Sequence, residues 1–236
     1  MNGRVLHYPS SRVFMVLMAL WLLISFLLTS LYLFSIPGFF RALGLDPRTA
    51  LFLSLLSILG STVNVPVHRV RRTVVVRHEV STFWGITYPV PLKSTEEITI
   101  SVNLGGCVVP LAVSCYLLAT RPHLWLEYAI DTAATTVVSY ATARVVPGVG
   151  IAVPFFLPAA VAGATALMIA DGQAASVAYV AGTLGTLIGA DLLHLRRAVR
   201  WGNAAVLSIG GAGTFDAIFV TGLTAVWIAY ALSPGG

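Results

Sequence analysis

Hydrophobic positions along this chain fall into long blocks. The first, residues 13–36, runs for 24 positions without a charge, with Arg4 and Arg12 ahead of it and Pro37-Gly38 behind it. A block of that length crosses the hydrocarbon core of a bilayer, about 30 Å, as one helix. It exceeds the apolar core of a cleaved signal peptide and shows no small-residue cleavage site, so it is expected to stay in the mature protein. Further apolar blocks cover residues 49–65, 104–120, 124–145, 150–170, 174–195 and 204–232. The expected fold is therefore an all-α polytopic membrane protein of about seven transmembrane helices, a single membrane domain over residues 1–236.

The pattern changes between residues 67 and 103. Thr73-Val74-Val75-Val76 is a β-branched run, and Ile98, Ile100 and Val102 alternate with polar neighbours. These predict two strands, a small β-hairpin in an extramembrane loop. Trp84, Tyr88, Pro89 and Pro91 between them suit a loop at the membrane interface, near headgroups that Arg69 to Arg77 can meet. Such a hairpin caps the helices, or offers a strand edge to a substrate.

Glycine and proline interrupt the second half, as Pro147-Gly148-Val149-Gly150, Gly182, Gly185, Gly189 and Gly210-Gly211-Ala212-Gly213. Gly185 and Gly189 form a GxxxG pair, expected to let another helix of the chain approach closely. The last block has 29 residues, and its three clustered glycines would each cost a helix about 1 kcal/mol relative to alanine. An extended or re-entrant lead-in ending near Gly213, with a helix from Thr214, fits better; such backbone lies at membrane depth only where protein buries it or it lines water.

Composition sharpens this picture. Hydrophobic residues make up 57% of the chain and charged residues 10%, against about 25% charged in soluble domains, which excludes an ordinary water-soluble fold. The net charge of +5 rests on scattered arginines rather than a basic tail, so the lipid bilayer is the expected partner and nucleic acid is not. A cytoplasmic N-terminus puts Arg4, Arg12, Arg69, Arg71, Arg72, Arg77, Lys93, Arg144, Arg196, Arg197 and Arg200 inside and only Arg41, Arg48 and Arg121 outside. The positive-inside rule thus predicts a plasma-membrane protein with its C-terminus outside. Cys107 and Cys115 are eight apart, about 12 Å along a helix, too far for a disulfide. His7, His68, His78, His123 and His194 lack paired ligand spacing, although His68 and His78 could meet across a strand bend; no metal site is expected, and no cofactor fingerprint is present.

Candidate chemistry rests on four acidic residues within the apolar blocks: Glu127, Asp131, Asp191 and Asp216. A central aspartate costs roughly 2.5 to 3.5 kcal/mol to insert, so such residues face a bundle interior or water and commonly mark function. Glu127, Asp131, Thr135 and Ser139 recur at i, i+4 as one polar stripe. Asp191 on a regular helix points away from the Gly182 face, so either both faces are packed or the helix distorts near Gly189. Asp216 follows the glycine-rich break, where Gly189, Gly210, Gly211 and Gly213 would supply supporting backbone.

Three functions fit. Asp191 and Asp216 could share a proton and activate a water, as an intramembrane diaspartyl hydrolase acting on a membrane-embedded peptide. Glu127, Asp131 and Asp216 could line the path of a proton- or cation-coupled transporter, with the breaks at 147–150 and 210–213 along it and a homo-oligomer completing it. A non-catalytic scaffold would use the hairpin as its docking surface. If blocks six and seven were regular helices turning at Arg200, Asp191 would face a residue near Ile209 and Asp216 would lie about 10 Å deeper.

Gly211-Ala212-Gly213-Thr214-Phe215-Asp216 resembles the Gly-x-Gly-Asp motif of the presenilin, signal-peptide-peptidase and prepilin-peptidase group, with two residues interposed and no Tyr-Asp at Asp191. That resemblance implies aspartyl-protease chemistry. Five segments carry another: Gly60-Ser61-Thr62-Val63-Asn64-Val65-Pro66, Asn103-Leu104-Gly105-Gly106, Pro147-Gly148-Val149-Gly150-Ile151, Gly189-Ala190-Asp191-Leu192-Leu193, and Ser208 through Asp216. In these the chain resembles an uncharacterised prokaryotic family, well represented in archaea, of polytopic proteins grouped as a domain of unknown function. It implies no activity, substrate or cofactor.

Overall fold

The computed structural model describes residues 18, 37–81, 84, 87–201, 204–211 and 217–233. The expected first span, residues 13–36, lies outside them apart from Met18, as do Gly213 and Asp216. After a helical stretch over residues 37–42 come α1 (Pro47–Gly60), β1 (Asn64–Ser81) and β2 (Thr87–Asn103). A π-helical turn (Leu104–Val108) leads into α2 (Val109–Thr120), and a 3-10 turn (Pro122–Leu124) into α3 (Trp125–Thr142). Then follow β3 (Arg144–Val146), β4 (Gly150–Ala152), α4 (Phe156–Ile169) and α5 (Ala174–Thr186). A second π-helical turn (Leu187–Leu192) joins α5 to α6 (Leu193–Trp201), and β5 (Val206–Ile209) precedes α7 (Ala217–Ala231).

The protein is mostly helical, but β-structure is more extensive than an all-α fold with a small hairpin. β1 and β2 pair antiparallel from Asn64↔Asn103 to Ser81↔Thr87, a ribbon roughly 55 Å long at about 3.4 Å per residue. Tyr88, Pro89 and Pro91 belong to β2, opposite Val80, Glu79 and Arg77, so only the exposed Trp84 of that aromatic group lies at the tip. His68 and His78 sit ten residues apart on the same strand and do not meet across a bend. β5 adds to β2 in parallel, Thr99↔Val206 to Val102↔Ile209, giving the order β1-β2-β5. The expected extended lead-in to the last helix is thus a strand, held where a neighbour satisfies its backbone. Pro147-Gly148-Val149-Gly150, expected as broken backbone along a path, makes the β3-β4 hairpin, with Pro147, Gly148 and the exposed Val149 in its turn, Gly150 opening β4, and both glycines at positive φ.

Several apolar blocks are therefore shared between helix and strand. Of the described helices, Ala174–Trp201 has the length and hydropathy to cross a membrane. Leu104–Thr120 and Pro122–Thr142 qualify only together, and they meet at 99°. Pro47–Gly60, Phe156–Ile169 and Ala217–Ala231 are apolar but shorter, at 14 or 15 residues about 21–23 Å long.

α3, α4, α5 and α7 form a bundle around a core that includes Tyr128, Ala162, Tyr179, Val180, Phe219 and Leu223. Small residues set its contacts. A Cβ on Gly182 would lie 3.1 Å from the Gly222 Cα of α7, and one on Gly163 would lie 2.7 Å from Ile228. The sheets close one end of the bundle, where Ile98, Ala198 and Leu207 form a second core with Val145 and Ile151 packed on it. There Arg72 donates to the carbonyls of Val199 and Arg200, both at 3.1 Å, capping the C-terminus of α6, and pairs with Glu96 at 2.9 Å. At the opposite end Arg121 donates to the Leu43 carbonyl, at 2.8 Å, and to Ser176 Oγ. Asp46 there accepts from the Arg48 and Thr49 amides at 3.0 and 3.1 Å and, with Pro47, starts α1.

Candidate functional site: a buried polar seam ending at a glycine junction

Tyr128, Asp131, Thr135 and Ser139 are the buried positions of α3, so the stripe expected from the i, i+4 spacing faces protein. Glu127 is half-buried in the first turn, where a carboxylate complements the helix dipole. Asp131 is wholly buried; its Oδ1 accepts from Thr135 Oγ1 at 3.4 Å, while Oδ2 has no hydrogen-bond partner among the described residues. Ser139 Oγ and, on α5, Thr183 Oγ1 and Thr186 Oγ1 are also buried without a partner among them.

The GxxxG pair is what brings α5 onto this stripe. A Cβ on Gly185 would lie 2.6 Å from Thr135 Cβ, and one on Gly189 would lie 2.8 Å from Ser139 Cβ and 3.0 Å from the Tyr140 amide. Contact advances in the same direction on both helices, so α3 and α5 run parallel. Gly189, expected to support the aspartate site, makes this helix contact from the same turn that carries Asp191.

Gly189 itself lies within the π-helical turn, Leu187–Leu192, the distortion that is one of the two alternatives expected around Asp191. An extra residue in the turn re-aims the side chains that follow it. Asp191 is buried and its Oδ2 accepts from the Gly210 amide at 3.3 Å. His194, buried one turn on, lies with Nδ1 3.1 Å from the Gly189 carbonyl and its ring 4.9 Å from that of Tyr140.

Gly210, at φ 85°, is where three backbones meet. Its missing Cβ would stand 2.5 Å from Cys107 Cβ, and a Cβ on Gly106 would overlap the Gly210 carbonyl. Gly105 in turn lies against Ser57 and Gly60 at the end of α1. Asn103 fastens this crossing: its Nδ2 donates to the Ser61 carbonyl at 2.6 Å and to Asn64 Oδ1 at 3.1 Å, and its Oδ1 accepts from the Gly106 amide at 2.7 Å. Ser208 Oγ donates to the same Asn64 Oδ1 at 2.6 Å. Ile218, in the first turn of α7, packs with Leu187 and Cys107.

Of the residues expected at a site, the structure brings Asp191 and Gly210 together, with Gly211 next in the chain at φ 92°. Asp131 belongs to the seam further along α3. Asp216 and Gly213 lie outside the described residues. Asn64, Asn103, Ser208 and His194 were not expected there; the first three stand in segments that the sequence already singled out, but their convergence depends on strand pairing. Among the described residues no three His, Cys, Asp or Glu side chains gather as a metal site.

The arrangement defines a helical bundle with a β-capped end, in which a buried carboxylate seam leads to a glycine-lined backbone crossing. The chain belongs to the family described as protein of unknown function, DUF1614, which it matches over residues 58–228. That range contains the seam, both π-helical turns and the junction from Gly60 to Gly210. Comparison with curated proteins and with solved structures gave no match.

Proposed function

We propose that the protein is a polytopic membrane protein that passes protons through the seam between α3 and α5 to the junction at Asp191. The supporting observation is Asp131, wholly buried with one carboxylate oxygen lacking a partner among the described residues. An orphaned buried carboxylate is costly, and such groups inside membranes mark ion paths and proton relays. The close approach at Gly185 and Gly189 leaves no room for a hydrated cation. A proton needs only hydroxyls and carboxylates along its way, and on the α3 stripe Thr135, bonded to Asp131, and Ser139, one turn further toward the junction, supply them.

The membrane reading draws on the apolar helices and on the charge distribution. Arg69, Arg71, Arg72, Arg144, Arg196, Arg197 and Arg200 lie with the sheets, while Arg41, Arg48 and Arg121 lie at the opposite end. That asymmetry is what a capped end in the cytoplasm requires. Seven spans, with the 99° bend between α2 and α3 falling at Arg121 on the end opposite the sheets, complete the reading.

The test is the full chain reconstituted into liposomes loaded with a pH-sensitive dye. A potassium diffusion potential should drive proton entry, and Asp131→Asn should lower the rate at least tenfold without changing the protein's melting temperature by more than a few degrees. Flux equal to that of protein-free liposomes would reject the reading.

A second reading, intramembrane diaspartyl hydrolysis, draws on the junction. Asp191 meets Gly210, and Ile218 packs on Leu187 of the turn that carries Asp191. Asp216 lies two positions before Ile218 in sequence. One carboxylate would take the proton of a water as it attacks a peptide carbonyl, and the other would protonate the carbonyl oxygen. Cleavage of a membrane-spanning peptide, lost in both Asp191→Asn and Asp216→Asn, is the expected result; cleavage surviving in either variant excludes it.

A further inference from the structure

Where the bundle meets its β-cap, a cleft of about 330 Å³ opens between the C-terminal ends of α3 and α6, lined by Ala143, Arg144, Val145, Pro147, Arg197 and Trp201. Arg144 and Arg197 come from different elements, both are exposed, and neither pairs with a carboxylate among the described residues. In that they differ from Arg71 and Arg72, which pair with Glu97 and Glu96 across the β1-β2 ribbon. On α6, Leu193, Arg197 and Trp201 follow at i, i+4, i+8, and all three are exposed, Trp201 at 70%. On α3, Val137 and Tyr140 stand exposed within two turns of Arg144.

From these two helices we infer that the cleft binds the headgroup phosphate of an anionic phospholipid. The surface has two zones in the order such a molecule needs. Arg144 and Arg197 present guanidinium forks, which match phosphate oxygens in geometry and stay charged at any physiological pH. Trp201 beside them suits the headgroup level, where indole rings concentrate. Val137, Tyr140 and Leu193, further toward the middle of the bundle, give acyl chains an apolar wall. Basic pockets between helices at a cytoplasmic face recognise anionic headgroups in this way. The inference rests on the membrane reading and is independent of proton passage.

The test uses the full chain in nanodiscs of phosphatidylcholine containing about one fifth phosphatidylglycerol, a mole fraction at which anionic lipid is present but not saturating. Brominated phosphatidylglycerol should quench the part of the fluorescence that Trp201→Phe removes, at least threefold more than brominated phosphatidylcholine does. In Arg144→Gln/Arg197→Gln the two lipids should quench equally, with the circular dichroism spectrum and melting temperature retained. Equal quenching in the unaltered protein, or preference persisting in the double variant, overturns the proposal. Inorganic phosphate at 10 mM order of magnitude that abolishes the preference would also overturn it, assigning the arginines to free phosphate. Should the protein fail to enter nanodiscs at all, the membrane reading itself falls, and that outcome is recognised before any quenching is measured.

Discussion

Gly185→Ala is the substitution whose outcome the packing decides most sharply. In an open helix it would stabilise, because alanine is favoured over glycine by about 1 kcal/mol. Here the new methyl would lie 2.6 Å from Thr135 Cβ, 2.7 Å from Thr135 Cγ2 and 3.1 Å from the Thr136 amide. Carbon atoms rest at roughly 3.5–4.0 Å, so the overlap is about 1 Å, the shortest of it against the Cβ fixed to the α3 backbone. Cγ2 could turn away about χ1, but Cβ is fixed to the backbone, so α3 and α5 must separate. Overpacking of this kind costs about 1–3 kcal/mol, more than the propensity gain. With the overlap falling on the backbone-fixed Cβ of Thr135, the upper part of that range applies, about 2–3 kcal/mol, and after the propensity gain the expected net effect is a destabilisation of about 1–2 kcal/mol. It is read from unfolding of the detergent-solubilised chain in increasing dodecyl sulfate, followed by circular dichroism. Thr135→Ser removes Cγ2 but leaves Cβ, so it should recover part of the loss in the double variant, a non-additive result. A neutral or stabilising Gly185→Ala, or strict additivity with Thr135→Ser, would refute the contact.

Arg72→Gln should loosen the cap of α6, costing about 1–2 kcal/mol through the two carbonyl bonds, and amide exchange over residues 198–201 should rise while α4 is unaffected. Asn103→Ala removes both donor contacts and the acceptor of the Gly106 amide from a fully buried position; a loss of about 2–4 kcal/mol is expected in the same unfolding assay, and a loss below 1 would contradict the junction. Hydrogen bonding from the side chain and then the amide of Thr49 holds the Asp46 carboxyl below its ordinary value. Its contribution to the start of α1 is therefore present above about pH 4 and lost as pH falls through the lowered folded-state value. The Thr49 amide resonance should titrate with that midpoint, and Asp46→Asn should abolish the titration.

Local chemistry made much of this protein legible from the chain alone. The i, i+4 recurrence of Asp131, Thr135 and Ser139 placed one polar face on a helix, since 3.6-residue periodicity needs no tertiary information. Gly185 and Gly189 announced a close helix contact, the glycines at 210 and 211 announced a break, and the β-branched run in the 67–103 segment announced a strand. The position of Asp191 away from the Gly182 face left either two packed faces or a distortion near Gly189, and the π-helical turn is such a distortion.

Partners were beyond the sequence, because apolar runs record burial without recording the secondary structure that achieves it. Residues 144–145 and 150–152 read as pieces of spanning blocks, yet they belong to strands, and the extended lead-in expected before the last helix gave no sign of which strand 206–209 would join; edge backbone within reach of another strand gains hydrogen bonds that a helix end would leave open. Parallel pairing of β5 with β2 joins positions about a hundred residues apart, and only that pairing carries Ser208 to Asn64. The same crossing sets Gly210 beside Cys107 and Gly106, and so decides that Asp191 meets a backbone amide there. The chain thus determined which residues had to be buried and which backbone had to bend, and the tertiary structure decided what each would face.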